Sequence, residues 1–292
     1  MIQTNAFPQV KLLLQCITCA VDSFNTLAKK GLIPEKNQQP GMKDLLHFLS
    51  TMDYSKTPLH MGQISHRIIR KWAANPDPYI AEKRQYNATM LEHYDELKRE
   101  VEFSNDPFDL ALRLAVAGNV IDLGYNHGLD VHTTLEKVRT APFVIYDAEL
   151  LRRAVANANT ILYLADNAGE IVLDKLFLET LKHPNVYLAV RSSPVINDVT
   201  LEDVAPLGLD KFATIIANGS DAPGTLLEDI SKEFRAIFEQ ADVIIAKGQG
   251  NFEGLASVRA PIFFLLMAKC EHVSRHLNVN KGDFIVMRQL DS

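Results

Sequence analysis

From about residue 145 onward the sequence alternates between two kinds of segment, and this alternation constrains the fold more than any other feature. Six short apolar, β-prone runs occur: TILYLA (160–165), NVYLAV (185–190), FATIIA (212–217), DVIIA (242–246), PIFFLLM (261–267) and DFIVMR (283–288). Between most of them lie helical stretches such as EIVLDKLFLETL and GTLLEDISKEFRAIFEQ. Strands that are apolar on both sides need cover on both faces, and helices between them supply the crossovers of a parallel sheet. The expected fold is therefore α/β: a doubly wound, mainly parallel sheet of about six strands in three layers, formed by residues 146–292. In such sheets ligands sit beyond the carboxyl ends of the strands.

Residues 1–145 follow a different pattern and are expected to form an all-α domain. PQVKLLLQCITCAVDSFNTLAKKG opens on a proline and closes on Gly31, as a helix does. TPLHMGQISHRIIRKWAA places Leu59, Ile64, Ile68 and Ile69 near one stripe. The charged segment over 77–103 reads as one long, largely exposed helix; a partner-docking role for this half is the less economical reading. DPFDLALRLAVAGNVIDLG runs apolar to Gly118, then places Asn119 and Asp122 in a segment that otherwise looks buried.

With 30 basic and 36 acidic residues the formal charge is −6, which argues against a surface built for nucleic acid or an anionic membrane. No apolar run is long enough to span a bilayer. The first residues lack a basic start before the apolar part, and Lys11 interrupts it, so no export signal is expected and the cytoplasm is the expected location. Cys16 and Cys19 form a CxxC on one helix face, with Cys270 as a possible third partner. Two small core residues, a redox pair and part of a metal site all fit this pattern.

The strand ends hold the chemistry-bearing residues. After the run 160–165 comes Asp166-Asn167-Ala168-Gly169-Glu170. Asn167 with Glu170 three residues on is a capping-box pattern, and Gly169 eases the turn. That leaves Asp166 unexplained, and a carboxylate beside an amide oxygen at a helix start is also a pair of hard oxygen ligands for a divalent ion. The amides of that helix start would attract a phosphate. Arg191 closes the next strand, and Asp198 follows a short loop, either as an N-cap or as a third oxygen ligand from the same rim. Gly219, Ser220, Gly224 and Thr225 make an ordinary turn-rich loop. The fourth rim is AKGQGNFEGL: Lys247 ends a buried strand, which is costly unless its ammonium meets an anion. The glycine spacing fits neither a P-loop nor G-x-G-x-x-G, so a phosphate fits better than a dinucleotide.

DNAGE after one strand, ND after the next, KGQGNFE after a later one, AGNVID in the helical half and the early CxxC together resemble the damage-control phosphatases, the family of domain of unknown function eighty-nine. The CxxC and the modest length look like its prokaryotic branch. The resemblance covers most of the chain. It implies an α-helical N-terminal part joined to an α/β domain that holds one divalent metal, and hydrolysis of phosphate monoesters, often sugar phosphates or damaged phosphometabolites. It places the metal on Asp166, Asn167 and Asp198, and phosphate contact on Lys247 with Asn251 close behind. It points Asn119 toward the cleft between the halves, and Gly169, Glu170 and Arg191 are neighbours in reach of substrate.

Phosphate monoester hydrolysis needs a positioned nucleophile and offset of developing charge. Mg²⁺, Mn²⁺, Co²⁺ or Ni²⁺ each suits an oxygen donor set and would polarise a phosphoryl oxygen and activate water. Direct attack by Asp166 or Asp198 to form an aspartyl phosphate is the other route, and the sequence leaves both open. The expected partner is a small phosphorylated metabolite, with the oligomeric state open. The rival readings are an S-adenosylmethionine-dependent methyltransferase, which YLADNAGE fits poorly for want of a glycine-rich loop, and a non-catalytic metal or phosphometabolite sensor.

Overall fold

The computed structural model describes residues 8–118, 135–136 and 139–289. Asn119 and Asp122 lie outside the described residues. Among the described residues, the helices α1 (Leu14–Lys29), α2 (Glu35–Thr51), α3 (Pro58–Ala73), α4 (Ile80–Glu92), α5 (Tyr94–Phe103) and α6 (Pro107–Ala117) come before the first strand. They have mixed but readable starts. Prolines stand at the first positions of α3 and α6, and the Asp106 side chain accepts from the Asp109 N–H to cap α6.

Strands and helices then alternate: β1 (Phe143–Tyr146), α7 (Ala148–Asn157), β2 (Ile161–Leu164), α8 (Glu170–Leu181), β3 (Val186–Val190), α9 (Leu201–Val204), β4 (Thr214–Ala217), α10 (Lys232–Gln240), β5 (Val243–Lys247), α11 (Gly248–Leu255), β6 (Ile262–Met267), α12 (Glu271–Leu277) and β7 (Phe284–Arg288). Among the described residues the sheet has seven strands in the order β1-β7-β6-β5-β2-β3-β4. All six expected runs form strands, and β1 is an addition. Its half-buried edge position explains why four residues carried too little apolar signal. The expected boundary at residue 145 falls inside this strand.

Pairing is parallel throughout except at β6–β7, which is antiparallel. Side-chain alternation splits the sheet into two faces. Ile161, Tyr163, Leu188 and Ile245 pack with α8 and with α5 and α6. Leu162, Leu164, Ile244 and Phe264 pack with Phe234, Phe252 and Leu255. Each such fully buried large apolar side chain contributes about 1.5–3 kcal/mol. A third cluster around Phe24, Leu27, Leu45 and Ile69 holds α1, α2 and α3 together.

Two helical expectations change. The charged segment over 77–103 is not one helix but two, broken at His93. Nor is it largely exposed: Lys83, Asn87, Met90 and Leu97 are buried. Lys83 Nζ lies 2.6 Å from both Asp77 Oδ2 and Asp203 Oδ2, and Tyr94 donates to Glu179. These pairs tie the helices to the sheet-bearing half and explain how charged residues come to face inward. Among the described residues no helix is long and apolar enough to cross a membrane.

Candidate functional site

The chain runs outward from β2 through β3 to β4, then returns to place β5 on the other side of β2. That reversal is a topological switch point, where the flanking connections diverge and leave a crevice at the carboxyl ends of the strands. Asp166 follows β2, Arg191 follows β3, and Lys247 ends β5. A cavity of about 490 Å³ opens there, lined by Asp166, Asn167 and Asp198 below and by Cys19 and Tyr86 of the helical half.

Local folding explains why the two aspartates face this cavity. The capping box expected at Asn167 and Glu170 does not form. The residue before α8 is Gly169, at φ +80°, and the Asn167 side chain turns to Asp166 Oδ2 at 2.7 Å. A Cβ on Gly169 would lie a tight 3.1 Å from the Tyr86 Cβ, and the positive φ itself favours glycine there. Its N–H donates to Asn87 Oδ1 at 2.7 Å, so α4 satisfies a donor that a cap would otherwise serve. Asp198 is no N-cap either: Thr200 caps α9, with Asp203 completing the box. The two corners are joined by the Val199 N–H to the Asp166 carbonyl and the Ala168 N–H to the Asn197 carbonyl, both 2.9 Å.

The two carboxylates are buried and share one neighbourhood. Burial and the nearby charges of Glu170 and Asp198 push the Asp166 carboxyl well above the usual range. Burial also raises Asp198, against the pull of Arg191. Gly248, at φ +77°, lies so close that a Cβ there would stand 1.9 Å from Asp166 Oδ2. Crowded buried carboxylates beside an amide are the donor chemistry of a hard divalent cation, and the set fits one. Among the described residues no three His, Cys, Asp or Glu side chains come together to hold a metal by themselves; the set is two carboxylates completed by the Asn167 amide.

The other expected site residues stand one layer back. Arg191 is buried, with its Nε donating to Asp198 Oδ2 at 2.7 Å and Nη2 reaching Asn251 Oδ1 at 3.4 Å. Asn251 is a buried strut: its Oδ1 accepts from the Thr225 hydroxyl at 2.8 Å, and its Nδ2 donates to the Lys247 carbonyl at 2.7 Å. Lys247, expected to meet a phosphate, donates instead to the Ala115 carbonyl at 2.8 Å, to Asp174 Oδ1 at 2.5 Å and to Glu170 Oε1. Burial alone would lower its pKa, but Asp174 and Glu170 outweigh burial and raise it. Asp174, which also accepts from the Tyr163 hydroxyl, is pushed up to about 7 by burial against the pull of Lys247.

The sequence reading missed Lys269, Asn87 and Asp174. Lys269 lines the cavity, and its charge acts on both Asp166 and Asp198. Its position two residues after β6 was the available signal, since it is the same kind of rim. Of the CxxC, Cys16 packs partly into the helical core while Cys19 is exposed and lines the cavity. All three cysteines are free thiols.

In a doubly wound α/β sheet, the switch point at the strand ends, here oxygen-rich and roofed by helices, is where ligands bind. The comparisons with known proteins make the class specific. The damage-control phosphatase ARMT1-like domain matches residues 12–285. The chain is 34% identical over 286 residues to the damage-control phosphatase PH1575 of Pyrococcus horikoshii, covering 96% of this chain and 98% of that one. It is 32% identical to the uncharacterized protein MJ0202 of Methanocaldococcus jannaschii, over 96% of each. The crystal structure of the DUF89 family protein from P. horikoshii superposes with a TM-score of 0.88 at 33% identity, covering 96% of this chain and 99% of that one. The chain belongs to the damage-control phosphatase ARMT1-like family, and its named relatives support a phosphatase role.

Proposed function

We propose that this chain is a metal-dependent phosphatase that hydrolyses phosphate monoesters of small metabolites, such as sugar phosphates or damaged phosphometabolites. The observation that carries the metal dependence is the cavity floor. Two buried carboxylates, both pushed up by burial, meet there beside an amide, a charge arrangement that a divalent cation relieves. Asp166, Asn167 and Asp198 would hold one Mg²⁺, Mn²⁺, Co²⁺ or Ni²⁺ ion. The chemistry such an ion supplies is polarisation of a phosphoryl oxygen and a lower pKa for water.

The chain's own residues do the rest. Lys269 faces the acidic floor from the cavity wall and would bind a non-bridging phosphate oxygen. Gln249 and Gly250, in the first turn of α11, line the same wall, where a helix start favours phosphate. Arg191 orients Asp198, and the Asn87 contact fixes the Gly169 turn. Helices α1 and α4 roof the cavity and would keep bulk water from the reacting phosphate while accepting the organic part of the substrate. Such a cavity, in a chain of net charge −6, suits a small phosphorylated metabolite rather than nucleic acid or a membrane surface, and the cytoplasm is the compartment proposed.

The test is phosphate release from p-nitrophenyl phosphate and a panel of sugar phosphates, using chelated protein with each metal added back singly. Turnover that returns with metal is expected. Turnover equally fast in excess chelator would refute the metal dependence, and silence with every metal and substrate would favour a sensor.

A further inference from the structure

One lysine ties together the layer behind the cavity. Lys247 is fully buried, and an ammonium has three protons to donate. Its three partners come from two helices: the Ala115 carbonyl of α6 and the Glu170 and Asp174 carboxylates of α8. None of the three protons is left for a phosphate oxygen. Of the two carboxylates, Glu170 lies nearer the donor set, its Oε2 3.5 Å from Asn167 Nδ2.

That nearness makes the Lys247–Glu170 contact consequential. A third carboxylate swung onto the ion site would occupy a coordination position that water or a phosphate oxygen must take. The same lysine is followed by Gly248, whose Cα packs against Asp166, so its place also fixes the room available to that carboxylate. We infer that Lys247 is a positioning residue that acts through Glu170. It holds this carboxylate back from the cavity, so that Asp166, Asn167 and Asp198 form an ion site with positions left open. The inference rests on the reading of those three residues as the ion site.

The experiment uses Mn²⁺ as probe and the full chain carrying Lys247→Met, Glu170→Gln or both. Water-proton relaxation by bound Mn²⁺ reports how many exchangeable waters the ion keeps, independently of turnover. In Lys247→Met the released Glu170 is expected to displace water, with loss of relaxation enhancement and a turnover loss of ~10–100-fold, the usual scale for residues that orient metal ligands. Adding Glu170→Gln removes the charge of the released carboxylate and is expected to restore the enhancement. A lysine that gripped phosphate directly would instead raise KM, leave the relaxation unchanged, and gain nothing from the second substitution. That pattern would overturn the inference.

Should Lys247→Met fail to fold, Glu170→Gln alone still decides. It is expected to bind Mn²⁺ with the wild-type relaxation enhancement, whereas loss of Mn²⁺ binding would make Glu170 a ligand and overturn the inference. Absence of Mn²⁺ binding by the wild-type chain would sink the ion-site reading itself, a result distinct from unchanged relaxation in Lys247→Met.

Discussion

The front and back of the site are built from the same residue types but do different work. At the front, Asp166, Asn167 and Asp198 border open space, where we propose that a cation offsets their crowded charge. At the back, Glu170, Asp174, Arg191, Lys247 and Asn251 are as polar and likewise bonded to protein, but none borders the cavity. A charged residue at a strand end can therefore be scaffold as readily as contact. What separates the two roles is whether the side chain also borders the cavity.

This contrast breaks most sharply at Asp166. Asp166→Ala should cut metal-dependent phosphate release by ~100-fold or more. Its melting temperature should hold or rise, because a buried charge is removed. An active Asp166→Ala enzyme would move the site elsewhere. Lys269→Met comes next: loss of a charged hydrogen bond to phosphate should raise KM by ~10–100-fold, with the melting temperature little changed. An unaltered KM would return Lys269 to the scaffold.

The remaining predictions probe how the back supports the front. Gly248→Ala puts a Cβ onto the Asp166 carboxylate at a positive φ. The strain should cost ~1–3 kcal/mol by denaturant unfolding and weaken Mn²⁺ binding as well. Asn87→Ala leaves the Gly169 N–H without its acceptor in a buried turn, a loss of ~1–3 kcal/mol measurable the same way. Asp174 should give the smallest effect, visible only against pH. Its folded pKa of about 7 exceeds the ordinary carboxylate value, so the folded state holds the proton more tightly than the unfolded chain. The stability this contributes is complete below about pH 4 and falls away as pH rises toward 7. Asp174→Asn should flatten that share of the decline in melting temperature, and an unchanged slope would assign it to other groups.

The fold was legible where covalent pattern and burial agree. Six of the strands announced themselves as continuous apolar runs, whereas β1, at the sheet edge, did not. The inward turn of α4 was hidden because Lys83 and Asn87 look like surface residues until Asp203 and Gly169 are brought to them from over 80 positions away. That Asp166, Asn167 and Asp198 share one cavity rim was also foreshadowed, since all three follow strand ends on one side of the sheet. Depth was not. Whether Lys247 points into a cavity or at Glu170 and Asp174 depends on the path of α8 relative to β5, which no local motif encodes.

The most direct measurement is a calorimetric titration of chelated protein with Mn²⁺, comparing the wild-type chain with Asp166→Ala. One site in the wild type that disappears in the variant is the predicted result. Equal binding by both proteins would contradict the placement of the ion on Asp166, Asn167 and Asp198.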